Sequence, residues 1–67
     1  MKIVLNNNPE TIERENMTIT DLLKWKKFTF KMLVIKINGK LVKKNDYDNA
    51  RVQEGDDVVV LHLISGG

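Results

Sequence analysis

The stretch that decides the fold is Glu54-Gly55-Asp56-Asp57-Val58-Val59-Val60-Leu61-His62-Leu63-Ile64-Ser65-Gly66-Gly67, residues 54–67. A glycine set among acids reads as a turn. The seven residues that follow it, 58–64, are apolar at odd and even positions alike, with His62 the one exception. A strand with one wet face alternates apolar and polar residues, so a strand apolar on both parities belongs in the middle of a sheet. This places the last strand centrally, between neighbours that come from earlier in the chain.

Working outward, residues 33–37 form a strand rich in branched side chains. Asn38-Gly39 after it is the strongest hairpin signal in the chain, because both turn positions need positive φ. Residues 40–42 return from the turn. At the other end of the chain, residues 2–5 read as a strand. Asn6-Asn7-Asn8-Pro9 closes it, and residues 10–15 form a weaker second strand anchored by Ile12, the two pairing as a hairpin. Between the hairpins, Thr18 can cap a helix, with Asp21 supplying a carboxylate near its positive end. Ile19, Leu22 and Leu23 then share a face at i, i+3 and i+4. Lys26 cuts that stripe short and Trp25 takes over part of the burial, so the helix ends near Phe28. Residues 45–49 form a polar loop with Tyr47 as its anchor.

One helix crossing a mixed sheet of four to five strands, with the last strand beside the first, is the ubiquitin-like β-grasp arrangement, an α+β class. The expected organisation is a single domain over residues 1–67 with a flexible tail at 65–67. The helix-facing core is expected to hold Ile3, Leu5, Leu33, Ile35, Ile37, Val59, Leu61 and Leu63. The opposite face of the sheet would then carry Val4, Val34, Lys36, Val58, Val60, His62 and Ile64.

Composition excludes most chemistry. A chain of 67 residues buries only about 60% of its unfolded surface, which leaves no volume for an enclosed active site. With no Cys there is no disulfide framework, thiolate zinc site or cysteine nucleophile. His62 is the sole histidine, and one imidazole builds no metal site. Glu54, Asp56 and Asp57 surround a turn and read as turn and strand-edge residues. Gly39, Gly55, Gly66 and Gly67 do not have the spacing of a phosphate-binding loop. No signal-peptide pattern opens the chain, and no apolar run is longer than 58–61, so a soluble cytoplasmic protein is expected. Charge is uneven: between Leu22 and Asn45 stand eight lysines and no acid, while both flanks are acidic, for a net +2. A solvated lysine surface accounts for this, and nucleic acid is not the expected partner.

One feature has no easy structural reason, the pair Gly66-Gly67 directly behind the most apolar strand; chance or a frayed tail of small residues is the plain reading, and insertion into a partner the functional one. Without Cβ atoms, such a tail fits a narrow channel in another protein. Its carboxylate, with a pKa of about 3.5, is ionised at neutral pH and can attack the α-phosphate of ATP. The chain would then be a substrate, with its reactive atom on Gly67.

Three segments together resemble the ThiS family, the sulfur carriers of thiamine thiazole synthesis: VQEGDDVVVLHLISGG at 52–67, Thr18-Ile19-Thr20-Asp21-Leu22-Leu23, and the Ile37-Asn38-Gly39-Lys40-Leu41-Val42 hairpin. The resemblance implies a carrier that is not itself an enzyme. In that family the terminal glycine, Gly67 here with Gly66 giving access, is adenylated by a ThiF-type enzyme that uses ATP and magnesium. A sulfur donor such as a cysteine desulfurase then converts it to a thiocarboxylate, which a thiazole synthase consumes. The chain would bind no cofactor of its own. Partners would dock on the outer sheet face at Val4, Val34, Val60, His62 and Ile64, and no membrane is implied. Lys43 and Lys44 depart from the family pattern, where Pro-Arg is common, as do Tyr47 in place of Trp and Lys26 in place of a helix Leu. Three other readings share the fold: a MoaD-like carrier for molybdopterin synthesis, a ubiquitin-like modifier, and a TGS-type RNA-binding module using the basic segment from Lys24 to Lys44 with Phe28 and Phe30.

Overall fold

The computed structural model describes residues 1–28 and 32–62. In chain order the elements are β1 (Lys2–Leu5), β2 (Asn8–Thr11), β3 (Met17–Thr18), α1 (Ile19–Trp25), β4 (Leu33–Ile37), β5 (Lys40–Val42), a 3-10 turn (Lys44–Asp46), β6 (Arg51–Val52) and β7 (Asp57–His62). Five strands form one sheet in the order β2-β1-β7-β4-β5, and β3 pairs with β6 in a second, two-stranded sheet. β7 is central, parallel to β1 and antiparallel to β4. A parallel pair cannot be joined by a tight turn, and α1 lies in the long crossover between them. This is the ubiquitin-like β-grasp fold, with its last strand in the middle as the run 58–64 implies.

Turn chemistry sets the registers. Asn6 and Asn7 both take positive φ, 50° and 68°, which makes a two-residue turn and pairs Leu5 with Asn8. The second strand therefore starts at Asn8 and ends at Thr11, earlier at both ends than the expected 10–15. Pro9 sits in it without penalty because β2 is an edge strand. Asn38 and Gly39 take φ of 51° and 82°, the type I′ geometry the dipeptide implies. Asn38 does more than turn the chain. Its Oδ1 accepts from Asp57 N–H at 2.9 Å and its Nδ2 donates to Asp56 at 3.0 Å, which ties the β4–β5 turn to the start of β7. Asn6 works similarly at the end of β1, its Oδ1 accepting from Val60 N–H at 2.8 Å.

Thr18 and Asp21 form a complete capping box. Asp21 N–H donates to Thr18 Oγ1 and Thr18 N–H donates to Asp21 Oδ2, both at 3.1 Å. That backbone hydrogen bond from Thr18 is the main reason the Asp21 carboxyl is held below its ordinary pKa. The Thr18 hydroxyl, Arg14 and Lys24 add to the effect and partial desolvation opposes it.

The core lies between the sheet and α1: Ile3, Leu5, Ile12, Met17, Ile19, Leu22, Ile35, Val52, Val58 and Val60. Here the parity expected for the last strand is corrected. Val58 and Val60 are buried, at 0% and 6% exposure, and Leu61 is 50% exposed. Pairing decides this: Val58 stands opposite Leu5 and Ile37, and Val60 opposite Ile35, so they share the helix-facing side with those residues. Val59 and Leu61, opposite Lys36 and Val34, face away. Trp25 is 42% exposed rather than part of the core. The Lys26 ammonium lies 5.0 Å from its ring centroid and 2.9 Å from Glu10. Tyr47 is half-buried and packs against the core as its anchor role implies.

Candidate functional site

The acids around Gly55 serve the turn. Glu54 accepts from Lys2 N–H at 3.0 and 3.1 Å through its two oxygens, and Gly55 N–H donates to Lys2 O at 2.8 Å. Asp56 accepts from Gln53 N–H at 2.8 Å, and Gly55 itself sits at φ 83°. These bonds fix the start of β7 against β1. Among the described residues no group of three or more His, Cys, Asp or Glu side chains could hold a metal ion. No described helix is long and apolar enough to cross a membrane.

Held at its start by that turn and on both edges by β1 and β4, β7 carries the chain in a fixed direction as far as His62. The glycines singled out in the sequence, Gly66 and Gly67, follow within five residues and lie outside the described residues, as do Leu63, Ile64 and the tail 65–67.

The sheet face turned away from α1 is built by the outward parities of five strands: Lys2 and Val4 from β1, Pro9 and Thr11 from β2, Val34 and Lys36 from β4, Leu41 from β5, and Asp57, Val59 and Leu61 from β7. Val4, Leu41 and Leu61 are exposed, at 38%, 60% and 50%. Of the five residues expected to dock partners, Val4 and Val34 are on this face. Val60 is not: it belongs to the core, because its partner Ile35 does. His62 is exposed but shares the parity of Val60, opposite Leu33. The residues that sequence reading missed are Val59, Leu61 and Leu41. A strand apolar on both parities carries no alternation from which to choose between them. The Asn38-Gly39 turn could have found Leu41, because it fixes that residue opposite Lys36 and so on Lys36's side of the sheet, while Val59 and Leu61 follow only from the β4–β7 register.

A mixed sheet with a central final strand, one capped helix across it and an apolar outer face defines a ubiquitin-like β-grasp protein. A family model described as the ThiS family matches residues 3–67, and the chain belongs to that family. Among solved structures it is similar to the crystal structure of the thiamine biosynthesis protein (ThiS) from Geobacter metallireducens. The identity is 28% and the TM-score 0.89, with 100% of both chains covered. It is also similar to the NMR solution structure of a thiamine biosynthesis protein from the same organism, at 28% identity and a TM-score of 0.81. That match covers 100% of this chain and 88% of the other.

Proposed function

We propose that this chain is the sulfur carrier of thiamine thiazole synthesis, acted on by partner enzymes rather than catalysing a reaction itself, and that Gly67 carries the sulfur. The observation that carries this reading is that the family match runs through residue 67, so it includes the glycine pair behind the central strand. In the first step a Gly67 carboxylate oxygen attacks the α-phosphorus of ATP. The bond to pyrophosphate breaks and an acyl adenylate forms. With hydrosulfide as the simplest form of the donor, sulfur then attacks the acyl carbon, the bond to AMP breaks, and a thiocarboxylate remains. Adenylation matters because carboxylate oxygen is a poor leaving group and AMP a good one. The cationic groups and magnesium that stabilise the phosphoryl charge belong to the activating partner.

The carrier supplies two things, a narrow tail and a surface to hold. Glycine at 66 and 67 adds no side chain that a channel must accommodate. The apolar outer face of Val4, Val34, Val59, Leu61 and Leu41 is the surface on which a ThiF-type enzyme and a thiazole synthase would dock, with Lys2, Lys36 and Asp57 as its charged members. Incubating the chain with a ThiF-type enzyme, magnesium-ATP and a sulfur donor should raise its intact mass by one oxygen-for-sulfur exchange. Failure to form either adenylate or thiocarboxylate with an enzyme active on another carrier would contradict the reading.

A further inference from the structure

On the helix side of the molecule, away from the outer sheet face, α1 ends in a way its sequence does not announce. Phe28 N–H donates to Leu23 O at 2.8 Å and Lys27 N–H to Lys24 O at 3.2 Å, the two bonds of a Schellman motif. The left-handed position of that motif is normally glycine, yet here Lys27 occupies it at φ 57°. A strained non-glycine residue is a reason to look for a use of its side chain. Leu23 and Phe28, the apolar pair that accompanies such a motif, line an open cavity of about 480 Å³ together with Tyr47, Thr20, Lys24 and Lys27. Tyr47 is held there by its carbonyl, which accepts from Thr20 N–H at 3.1 Å. Leu23, Phe28 and Tyr47 all back onto the core and are half-buried, so the apolar floor is fixed.

The rim is cationic. Thr20 donates its hydroxyl to Asp48, so it is already engaged. The ion pairs among the described residues join Arg14 to Asp21 and Lys26 to Glu10, leaving Lys24 and Lys27 outside both. The helix end does not oppose an anion strongly, because the carbonyls of Leu22, Leu23 and Lys24 are capped by Lys26, Phe28 and Lys27 N–H groups. Both lysines also belong to the segment between Leu22 and Asn45 that holds eight lysines and no acid.

We propose that this cavity is a docking site for a partner protein, taking one aromatic or leucine side chain carried on an acidic segment. An apolar floor with a charged rim is the layout of a protein interface, with an anchor side chain at its centre. Lys24 and Lys27, the charged residues that line the cavity, supply the complementary charge that steers an acidic partner toward it. Because the cavity and the outer sheet face lie on opposite sides, both can be engaged at once, and the site does not depend on what Gly67 carries.

The probe is the synthetic peptide acetyl-Glu-Asp-Phe-Asp-Glu-amide, titrated into isotope-labelled full-length chain and followed by amide chemical shifts. Saturable shifts are expected at Leu23, Lys24, Lys27, Phe28 and Tyr47. They should be lost when alanine replaces the phenylalanine and weakened when amides replace the acids. Lys27→Gly suits the backbone angle, so it should stay folded and bind roughly fivefold more weakly; Lys24→Gln should do the same. The proposal is overturned by shifts confined to Val34 and Leu61, by equal affinity for wild type and Lys27→Gly, or by tighter binding of oligouridylate at the same residues. Contacts from the Phe30 ring to Leu23 and Tyr47 in the free protein would overturn it as well, since the chain would then fill its own cavity.

Discussion

At the scale of single residues, a few side chains do what whole motifs do in larger proteins. Thr18 satisfies a helix N–H that would otherwise lack a partner, and Asp21 returns a bond to Thr18 N–H. Thr18→Ala should cost about 1 kcal/mol of unfolding free energy, read from urea melts. Because the Asp21 pKa is lowered in the folded state, its contribution is fully present above the unfolded carboxylate value. It is lost as pH falls through the folded one. Asp21→Asn should flatten that part of the acid stability profile, and an unchanged profile would show that the cap does not titrate. Lys27 lies at the opposite end of α1, in a conformation that costs an L-residue roughly 1 kcal/mol. Lys27→Gly should therefore raise stability by about that amount in the same urea melts. The N-terminal cap was legible, because Thr followed three residues later by Asp is a chemical pattern. The C-terminal stop was not, because the position that signals it holds lysine where a glycine would have been read.

At the scale of elements, β7 shows what hydrophobic pattern can and cannot decide. Its apolar run placed it centrally, but its side chains could have been assigned to either face, since Val59 and Leu61 are as apolar as Val58 and Val60. The pairing of Val58 with Leu5 and Ile37 resolves this. The consequence is measurable: Val58→Ala should destabilise the fold by about 2 kcal/mol, from two lost methyl groups plus the cavity they leave. Leu61→Ala, at a half-exposed position, should cost less than about 1 kcal/mol despite removing more carbon. The reverse order of the two effects would restore the opposite parity. The short β3–β6 pair was missed for a different reason. Met17 and Val52 are fully buried partners but stand alone among polar neighbours, and two-residue strands carry no period to detect.

For the whole molecule, the division of labour follows from size. Among the described residues, ten buried apolar side chains hold the main sheet against one helix, and no polar side chain is buried with them. On the reading proposed above, chemistry falls to the tail and recognition to two surfaces, the outer sheet face and the cavity beside α1. Leu61→Asp places a charge on the outer face while leaving the core untouched. It should preserve the fold, seen in circular dichroism, and slow loading by an activating enzyme at least tenfold, on the order of the loss from one interface anchor. Gly66 and Gly67 stand out in the sequence because they follow directly on its most apolar run, and the family match extends over them, while they lie outside the described residues.

The most direct test of the carrier account is the intact mass of the chain after incubation with a ThiF-type enzyme, magnesium-ATP and a sulfur donor, beside a variant lacking Gly67. The account predicts one oxygen-for-sulfur exchange on the full chain and none on the variant. An unmodified full chain, or equal modification of both, would contradict it.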